Sequence, residues 1–387
     1  MLMTAEQPTA PAAIRVDLGA IFISLELSKS RWLVTSRSPG SAKMSRHTVL
    51  GGDMPALKAC LNALRDKTMA REGEFYPLVV IQEAGLDGFW IHRALDQEDW
   101  IESHIVDAAS IAVSRRHRRA KTDRIDGETL VRTLMAWKRG EPRVCSMVHV
   151  PTPEEEDRRR LGRERKALVT ERGSHINRIK GLLFGAGIRG YEPQRRDRRE
   201  RHEELRTGDG RPLPAHLKAQ ISRELDRLEL LMEQIKAVEA ERDALLDSQS
   251  SAHAPVVMLL GLKGLGPEFV NVLASEGLFR QFDNRRQLAA YAGLAPSPWR
   301  SGAIDREQGI SKSGNPRLRT TMIQLAWLWL RYQPESALAR WFHERVARSG
   351  GRGRKTAIVA LARKLLVAFW KYVTSGVVIE GAVMTST

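Results

Sequence analysis

The chain contains little cysteine. Cys60 and Cys145 are its only two in 387 residues, and they are far apart in sequence. Without the CxxC spacing of a zinc-ligand pair, they argue against a zinc site and against a disulfide framework. Such sparse cysteine usage is typical of a protein that works in a reducing cytoplasm.

Long apolar runs are also missing. The first 17 residues have no basic segment followed by an apolar one, so no signal peptide is predicted. The most apolar late segment, residues 356–373, is interrupted by Arg363 and Lys364. It is too short and too charged to cross a bilayer, so we expect a soluble protein with no membrane partner.

Acidic residues are fewer than basic ones, 46 against 62, which gives a formal net charge of +16 and a pI near 10.2. A surplus of this size indicates a polyanionic partner, most simply nucleic acid. Charge alone does not separate nucleic acid from an anionic membrane or from a merely basic surface. The length allows two sizeable hydrophobic cores.

The first third of the chain alternates strand-like and helix-like patterns. Strands are predicted at 21–27, 31–37, 45–50, 77–82 and 101–106, and helices at 53–71 and around residues 90–95. This order predicts a central sheet flanked by helices. Two acids stand at the strand ends: Glu26 at the end of the first strand, and Glu83 directly after PLVVIQ.

A second acidic pair opens a helix. In the stretch RRHRRAKTDRIDGETLVRTLMAW, Thr122 is a good N-cap, and Asp123 and Asp126 follow one turn apart. An isolated D-x-x-D is usually just a solvated first turn, and a lone strand-end glutamate is usually an edge residue. Four acids that one sheet could bring together, however, are suited to holding one or two Mg²⁺ ions. The preceding basic residues would contact phosphates, and they are Arg115, Arg116, Arg118, Arg119 and Lys121.

The composition changes after Pro151. Residues 151–250 are charged and helical, and the apolar residues Ile221, Leu225, Leu228, Met232 and Ile235 repeat at heptad spacing. That repeat predicts helix pairing, either as a hairpin within one chain or between two subunits.

The last third begins with two apolar segments joined by GLKGLGP, which resembles a helix-hairpin-helix or is simply a tight turn. A long irregular loop is predicted from Gly293 to Pro316, and Asn315-Pro316 predicts the start of a very apolar helix. Lys263, Lys312 and Arg317 are the candidate phosphate contacts of this region.

Several motifs in this order resemble the DEDD transposases of the insertion-sequence one-ten family. They are LELSKSRW, IQEAG, KTDRID, GLKGLG, YAGLAPSPWRSG and SKSGNPRLR, and the similarity covers roughly Ile21 to Val373. The resemblance implies an α/β RNase H-like (RuvC-like) domain, an α-helical coiled-coil connector, and a mainly α-helical transposase domain with a helix-hairpin-helix. The corresponding ranges are a tail at 1–20, then 21–150, 151–250 and 251–375, and a tail at 376–387.

The same resemblance assigns roles. Glu26, Glu83, Asp123 and Asp126 would be catalytic and would bind Mg²⁺, or Mn²⁺ in its place, and Ser301 of WRSG would be the nucleophile that forms a covalent phosphoserine. It also implies DNA and a non-coding bridge RNA as partners, a homo-oligomer (dimer or tetramer), and a bacterial cytoplasmic, nucleoid-associated location.

One position departs from the family pattern, because Glu26 stands where aspartate is common. Asp17, before the strand, is the alternative ligand. Two other functions share part of this pattern: a RuvC-like metal-dependent nuclease that hydrolyses nucleic acid without a covalent intermediate, and a non-catalytic nucleic-acid-binding protein.

Overall fold

The computed structural model describes residues 18–41, 43–85, 88–111, 123–142, 144–250, 254–278, 280, 282–301, 304–351 and 353–385. The chain forms two compact units, Met1–Pro151 and Thr152–Thr387. Within the described ranges, none of the helices combines the length and the apolar character needed to cross a membrane.

The first unit is built on one five-stranded sheet. Its strands are β1 (Ile21–Leu27), β2 (Arg31–Arg37), β3 (Ser45–Leu50), β4 (Leu78–Glu83) and β5 (Ile101–Val106), in the order β3-β2-β1-β4-β5. The first three strands are antiparallel neighbours, whereas β4 pairs parallel with both β1 and β5. The predicted strands are confirmed, and the mixed sheet is compatible with an RNase H-like domain.

Helices cover both faces of this sheet. On one face, α1 (Met54–Glu72) and α2 (Trp90–Leu95) bury Leu57, Leu61 and Ile91 against alternate residues of β1 and β4. On the other face, α3 (Asp123–Lys138) buries Leu130, Val131 and Leu134 against Phe22, Val79 and Ile81. Because side chains alternate along a strand, each central strand serves both cores. This explains the nearly continuous apolar run of β1.

The second unit begins with a pair of long helices. Helix α4 (Pro153–Gly185) starts with a capping box between Thr152 and Glu155, and α6 (Ala215–Ser250) runs beside it, with the short α5 (Arg198–Glu203) between them. Four of the five heptad residues of α6, all except Ile235, pack into one cluster with Ile179 and Leu183 of α4. The apolar repeat therefore pairs helices within one chain, which was one of the two alternatives that the sequence left open.

The rest of the second unit surrounds one large core. Its helices are α7 (Ala254–Leu260), α8 (Pro267–Val272), a π-helix (Leu273–Leu278), α9 (Arg285–Tyr291), α10 (Pro316–Tyr332), α11 (Ala337–Arg348) and α12 (Arg354–Ser375). Residues such as Trp329 of α10 and Phe369 of α12 are fully buried there, with ring centroids 5.5 Å apart. Beyond α12, the backbone oxygen of Val383 accepts hydrogen bonds from Lys263 and Gln333.

One prediction about this region is wrong. The segment from Gly293 to Pro316 is not an irregular loop throughout, because β6 (Pro296–Ser301) and β7 (Ile304–Ile310) form an antiparallel hairpin. Its Pro and Gly residues were interpreted as loop signals. The strands form only a two-stranded sheet, and their pairing is irregular between Pro296 and Pro298, so the prolines are accommodated at a break in the ladder.

Candidate functional site

Glu26 and Glu83 lie at the ends of neighbouring strands. Strands β1 and β4 pair in parallel up to Leu25 and Gln82. Each glutamate is the next residue of its strand, so the two lie side by side in the sheet. Alternation places Glu26 on the face of Phe22 and Ser24, and Glu83 on the face of Val79 and Ile81. Both positions therefore belong to the face that α3 covers.

The first turn of α3 is fixed to this same face. The Ser24 hydroxyl donates a 2.9 Å hydrogen bond to the backbone oxygen of Gly127. A Cβ added to Gly127 would lie only 2.6 Å from Oγ1 of Thr35, which is the residue paired with Ser24 on β2. Only glycine allows the helix to approach the sheet this closely.

Two aspartates open this anchored helix, as predicted. Helix α3 begins at Asp123, whose side chain lies outside the described part of the chain, and Asp126 is half-buried. Asp126 directly precedes Gly127, and Ser24 is two residues before Glu26 on the same face of β1. The topology thus brings the start of α3 to the edge of the sheet at which Glu26 and Glu83 lie.

The donor set fits a hard divalent cation in its chemistry. All four candidate ligands offer carboxylate oxygens, which Mg²⁺ and Mn²⁺ prefer, and Oε1 of Glu26 is shielded from solvent. The described side chains alone do not complete such a site, since no three acidic, histidine or cysteine residues among them are close enough to hold a metal ion. A complete site would need Asp123.

Some predicted residues lie outside the described ranges. Asp17 does, and so do Thr122 and the basic run of Arg115, Arg116, Arg118, Arg119 and Lys121. Their roles stay predictions.

Ser301 is the last residue of β6, at the end of the hairpin away from its base, where it pairs with Ile304. Its side chain is not among those described. Two backbone hydrogen bonds hold the base of the hairpin. Ser311 donates its backbone N–H to Ala295, and Lys312 donates to Gly293. Lys312 adopts a left-handed conformation (φ 58°) and is exposed, as a phosphate contact requires.

Asn315 follows the hairpin and forms hydrogen bonds with residues of α9, the π-helix and α10. Its Oδ1 accepts hydrogen bonds from the N–H groups of Arg317 and Leu318, so the predicted N-cap of α10 is confirmed. Its backbone N–H donates to Tyr291 at 2.7 Å, and its Nδ2 donates to Glu276 at 3.0 Å.

Glu276 is the centre of a buried ionic network that sequence reasoning missed. Its side chain is 4% exposed and accepts from Arg163 of α4, while Arg317 lies 3.9 Å from it. Burial lowers the pKa of the Arg317 guanidinium, and the carboxylates of Glu276 and Glu268 oppose that shift. This placement favours a structural role for Arg317 over the predicted phosphate contact. The one sequence feature that could have indicated this network is Glu276 itself, a single acidic residue in an otherwise apolar helical segment.

The GLKGLGP turn is also tied to its surroundings. The backbone N–H of Lys263 donates to Val383, and Gly264 has φ 95° and packs against the side chain of Tyr332. The Lys263 side chain is exposed, so the predicted phosphate contact by this residue is sterically open.

Comparison with known proteins identifies related chains. Residues 258–341, which contain Glu276, Arg317 and the hairpin, match the model of the transposase IS116/IS110/IS902 family. The y4rJ protein of Sinorhizobium fredii, assigned as a transposase, is 67% identical over 99% of both chains. The transposase for insertion sequence element IS1111A of Coxiella burnetii is 31% identical over 66% of this chain and 67% of its own. The transposase for IS1328 of Yersinia enterocolitica is 30% identical over 60% of this chain and 68% of its own. The chain therefore belongs to the IS116/IS110/IS902 family of transposases, enzymes that cleave and transfer DNA strands.

Proposed function

We propose that this transposase cuts and rejoins DNA through a serine nucleophile, Ser301, assisted by Mg²⁺ at Glu26, Glu83, Asp123 and Asp126. The observation that carries most weight is the placement of Glu26 and Glu83 at adjacent strand ends, on the face to which Ser24 fixes the start of α3. Mg²⁺ held there would withdraw charge from the phosphate that reacts.

The remaining chemistry falls to residues of the chain. The Ser301 oxygen forms a bond to the phosphorus and loses its proton, and the bond from phosphorus to the deoxyribose oxygen breaks, which releases a sugar hydroxyl. Attack by a second sugar hydroxyl on the phosphoserine reverses these changes and frees Ser301. Since one phosphodiester replaces another, no external energy source is required.

The positive charge of the chain supports a nucleic-acid guide besides the DNA substrate. The surplus of +16 suits binding of a structured non-coding RNA, in which Lys263, Lys312 and the basic run at 115–121 would contact phosphates. The active assembly would be a homo-oligomer in which the acids of one subunit meet the serine of another. A helix-hairpin-helix formed by α7, the GLKGLGP turn and α8, and a coiled coil formed by α4 and α6, belong to this proposal.

The covalent step is tested by trapping. The protein is incubated with DNA that carries the ends of its element, denatured, and examined for protein–DNA adducts. We expect adducts with the unchanged protein and with Ser297→Ala, a control in the same strand, but none with Ser301→Ala, which should still bind DNA. Adducts that persist in Ser301→Ala would exclude the serine role, and cleavage without any adduct would favour a hydrolytic nuclease.

A further inference from the structure

Phe184 is an unusually exposed aromatic residue. It lies in the last turn of α4, and 62% of its surface is open to solvent. Single exposed apolar side chains are common on protein surfaces, so the exposure of this ring indicates a binding site only together with its surroundings.

The exposure of Phe184 does not come from a loose chain. Backbone hydrogen bonds from Gly187 to Phe184 and from Ile188 to Leu183 close the helix end, with lengths of 3.0 and 2.9 Å. Gly187 adopts φ 80°, and a Cβ there would lie 2.9 Å from the Cα of Gly208. The two segments are therefore packed tightly, and the ring is presented from an ordered support.

The surroundings of the ring are cationic. The Arg189 guanidinium lies over the ring, 5.0 Å from its centroid, and within the described chain it forms no ion pair. The nearby Glu192 is neutralised by Lys180, at 2.8 and 2.9 Å. Residues 172–201 contain nine Arg or Lys against three Asp or Glu. At least five of these cations pair with carboxylates, but Arg189 is not among them, so the exposed ring lies beside a guanidinium that can bind an anion.

A small cavity adjoins the ring. It has a volume of about 180 Å³ and is lined by Lys180, Leu183, Phe184, Ile188, Arg189 and Tyr191. Its lining combines apolar and aromatic side chains with the Arg189 guanidinium, and this mixture suits a flat, weakly polar ring that carries a negative group. An unpaired nucleobase with its phosphate has this chemistry, and it stacks on aromatic rings and on guanidinium planes whatever its sequence.

We propose that Phe184 and Arg189 form a stacking site for an unpaired base of a nucleic acid. This rests on the nucleic-acid partner of the proposed function but not on Ser301 or the acids. A second copy of this chain is a poorer occupant, because a symmetric contact would bring the Arg189 guanidinium of one copy towards that of the other. A duplex is also a poorer one, since its bases already stack on each other. The base would come from single-stranded DNA or from RNA.

The test measures the affinity of the full chain for labelled single-stranded RNA, single-stranded DNA and duplex DNA of one sequence, by fluorescence anisotropy at fixed salt. We expect Phe184→Ala to weaken single-strand binding roughly tenfold and duplex binding much less, with Phe184→Trp near the unchanged protein. Leu230→Ala is the matched control, because Leu230 is 55% exposed on the partner helix α6.

The pattern of loss identifies the source of the base. A loss confined to RNA assigns the site to RNA, a loss confined to DNA assigns it to a displaced strand, and a loss in both assigns it to either. Equal affinities of Phe184→Ala and Leu230→Ala for every oligonucleotide would overturn the proposal. So would a change of particle mass by light scattering with unchanged binding, which would indicate a protein contact. The readout is binding, so it succeeds or fails independently of the covalent adduct.

Discussion

The hydroxyl of Ser24 donates a hydrogen bond to the backbone oxygen of Gly127, and this contact ties the central strand to the start of α3. Ser24 lies two residues before Glu26, and Gly127 lies one residue after Asp126. The contact therefore sets the spacing between two of the proposed metal ligands. It also explains why a glycine follows the second aspartate, since the backbone approaches the sheet at that point.

Gly127→Ala tests this close approach. The added Cβ would lie 2.6 Å from Oγ1 of the fully buried Thr35, which cannot move aside within the sheet. We expect a loss of about 1–3 kcal/mol of unfolding free energy from overpacking, partly offset by the ~1 kcal/mol that alanine contributes to a helix over glycine. Metal-dependent cleavage should fall, because the aspartates are displaced.

Gly173→Ala is the control for Gly127→Ala. A Cβ at Gly173, within α4, meets nothing within 4 Å, so this change should be neutral or stabilising in chemical denaturation. If Gly127→Ala changed the free energy of unfolding as little as Gly173→Ala does, the close approach of Gly127 to Thr35 would not constrain the fold.

Substitutions at Glu26 test the departure from the family pattern. Glu26→Gln removes the charge and should lower DNA cleavage by roughly 100-fold, by analogy with the loss of other charge-stabilising groups. Glu26→Asp keeps the charge with a shorter side chain, and should retain measurable cleavage. Both variants should bind DNA as the unchanged protein does. Full cleavage by Glu26→Gln would remove Glu26 from the site.

Much of the first unit followed from its sequence. Apolar periodicity and turn residues are local signals, and they predict strands β1 and β4 and the helix that begins at Asp123. The parallel pairing that places Glu83 beside Glu26 is a contact between residues distant in sequence, and no local pattern specifies it. That one sheet could bring these acids together was predicted from their positions at two strand ends and at a helix start, and the family resemblance added their catalytic roles.

The second unit was less predictable. The β6–β7 hairpin was missed because its strands are rich in residues that normally mark loops. The sequence predicts Arg317 as a phosphate contact, because nothing near it in the sequence indicates the carboxylates of Glu268 and Glu276, which come from other segments. Whether a charged side chain is buried depends on tertiary packing, and the charges of neighbouring residues in the sequence do not indicate it.

Glu276→Ala tests the buried ionic network. The substitution leaves the Arg317 guanidinium, 12% exposed, without one of its two carboxylates and deprives Asn315 of an acceptor. We expect a loss of about 3 kcal/mol of unfolding free energy, the usual effect of breaking a buried pair. Glu344→Ala breaks an exposed pair with Arg348 and should change stability by less than about 0.5 kcal/mol. Similar values for the two variants would contradict the network.

Stability should depend on pH through His202. Burial lowers the pKa of this histidine below its ordinary value of 6.5, and Glu203 opposes that shift only in part. The unfolded chain therefore takes up the proton first, so stability falls as the pH drops below about 6.5. The melting temperature should decrease between about pH 7.5 and pH 5.5, and less so in His202→Phe. Burial also lowers the pKa of His92, so part of the decrease remains. The exposed His216 serves as control: if His216→Phe flattened the profile equally, His202 would not be its source.

The location of a divalent ion tests the central claim most directly. Crystals of the protein grown with Mn²⁺ would be measured at the manganese absorption edge, where anomalous scattering locates the ion. We expect a peak within about 2.5 Å of carboxylate oxygens from at least three of Glu26, Glu83, Asp123 and Asp126. A peak elsewhere, or one that leaves both Glu26 and Glu83 unbound, would contradict the account.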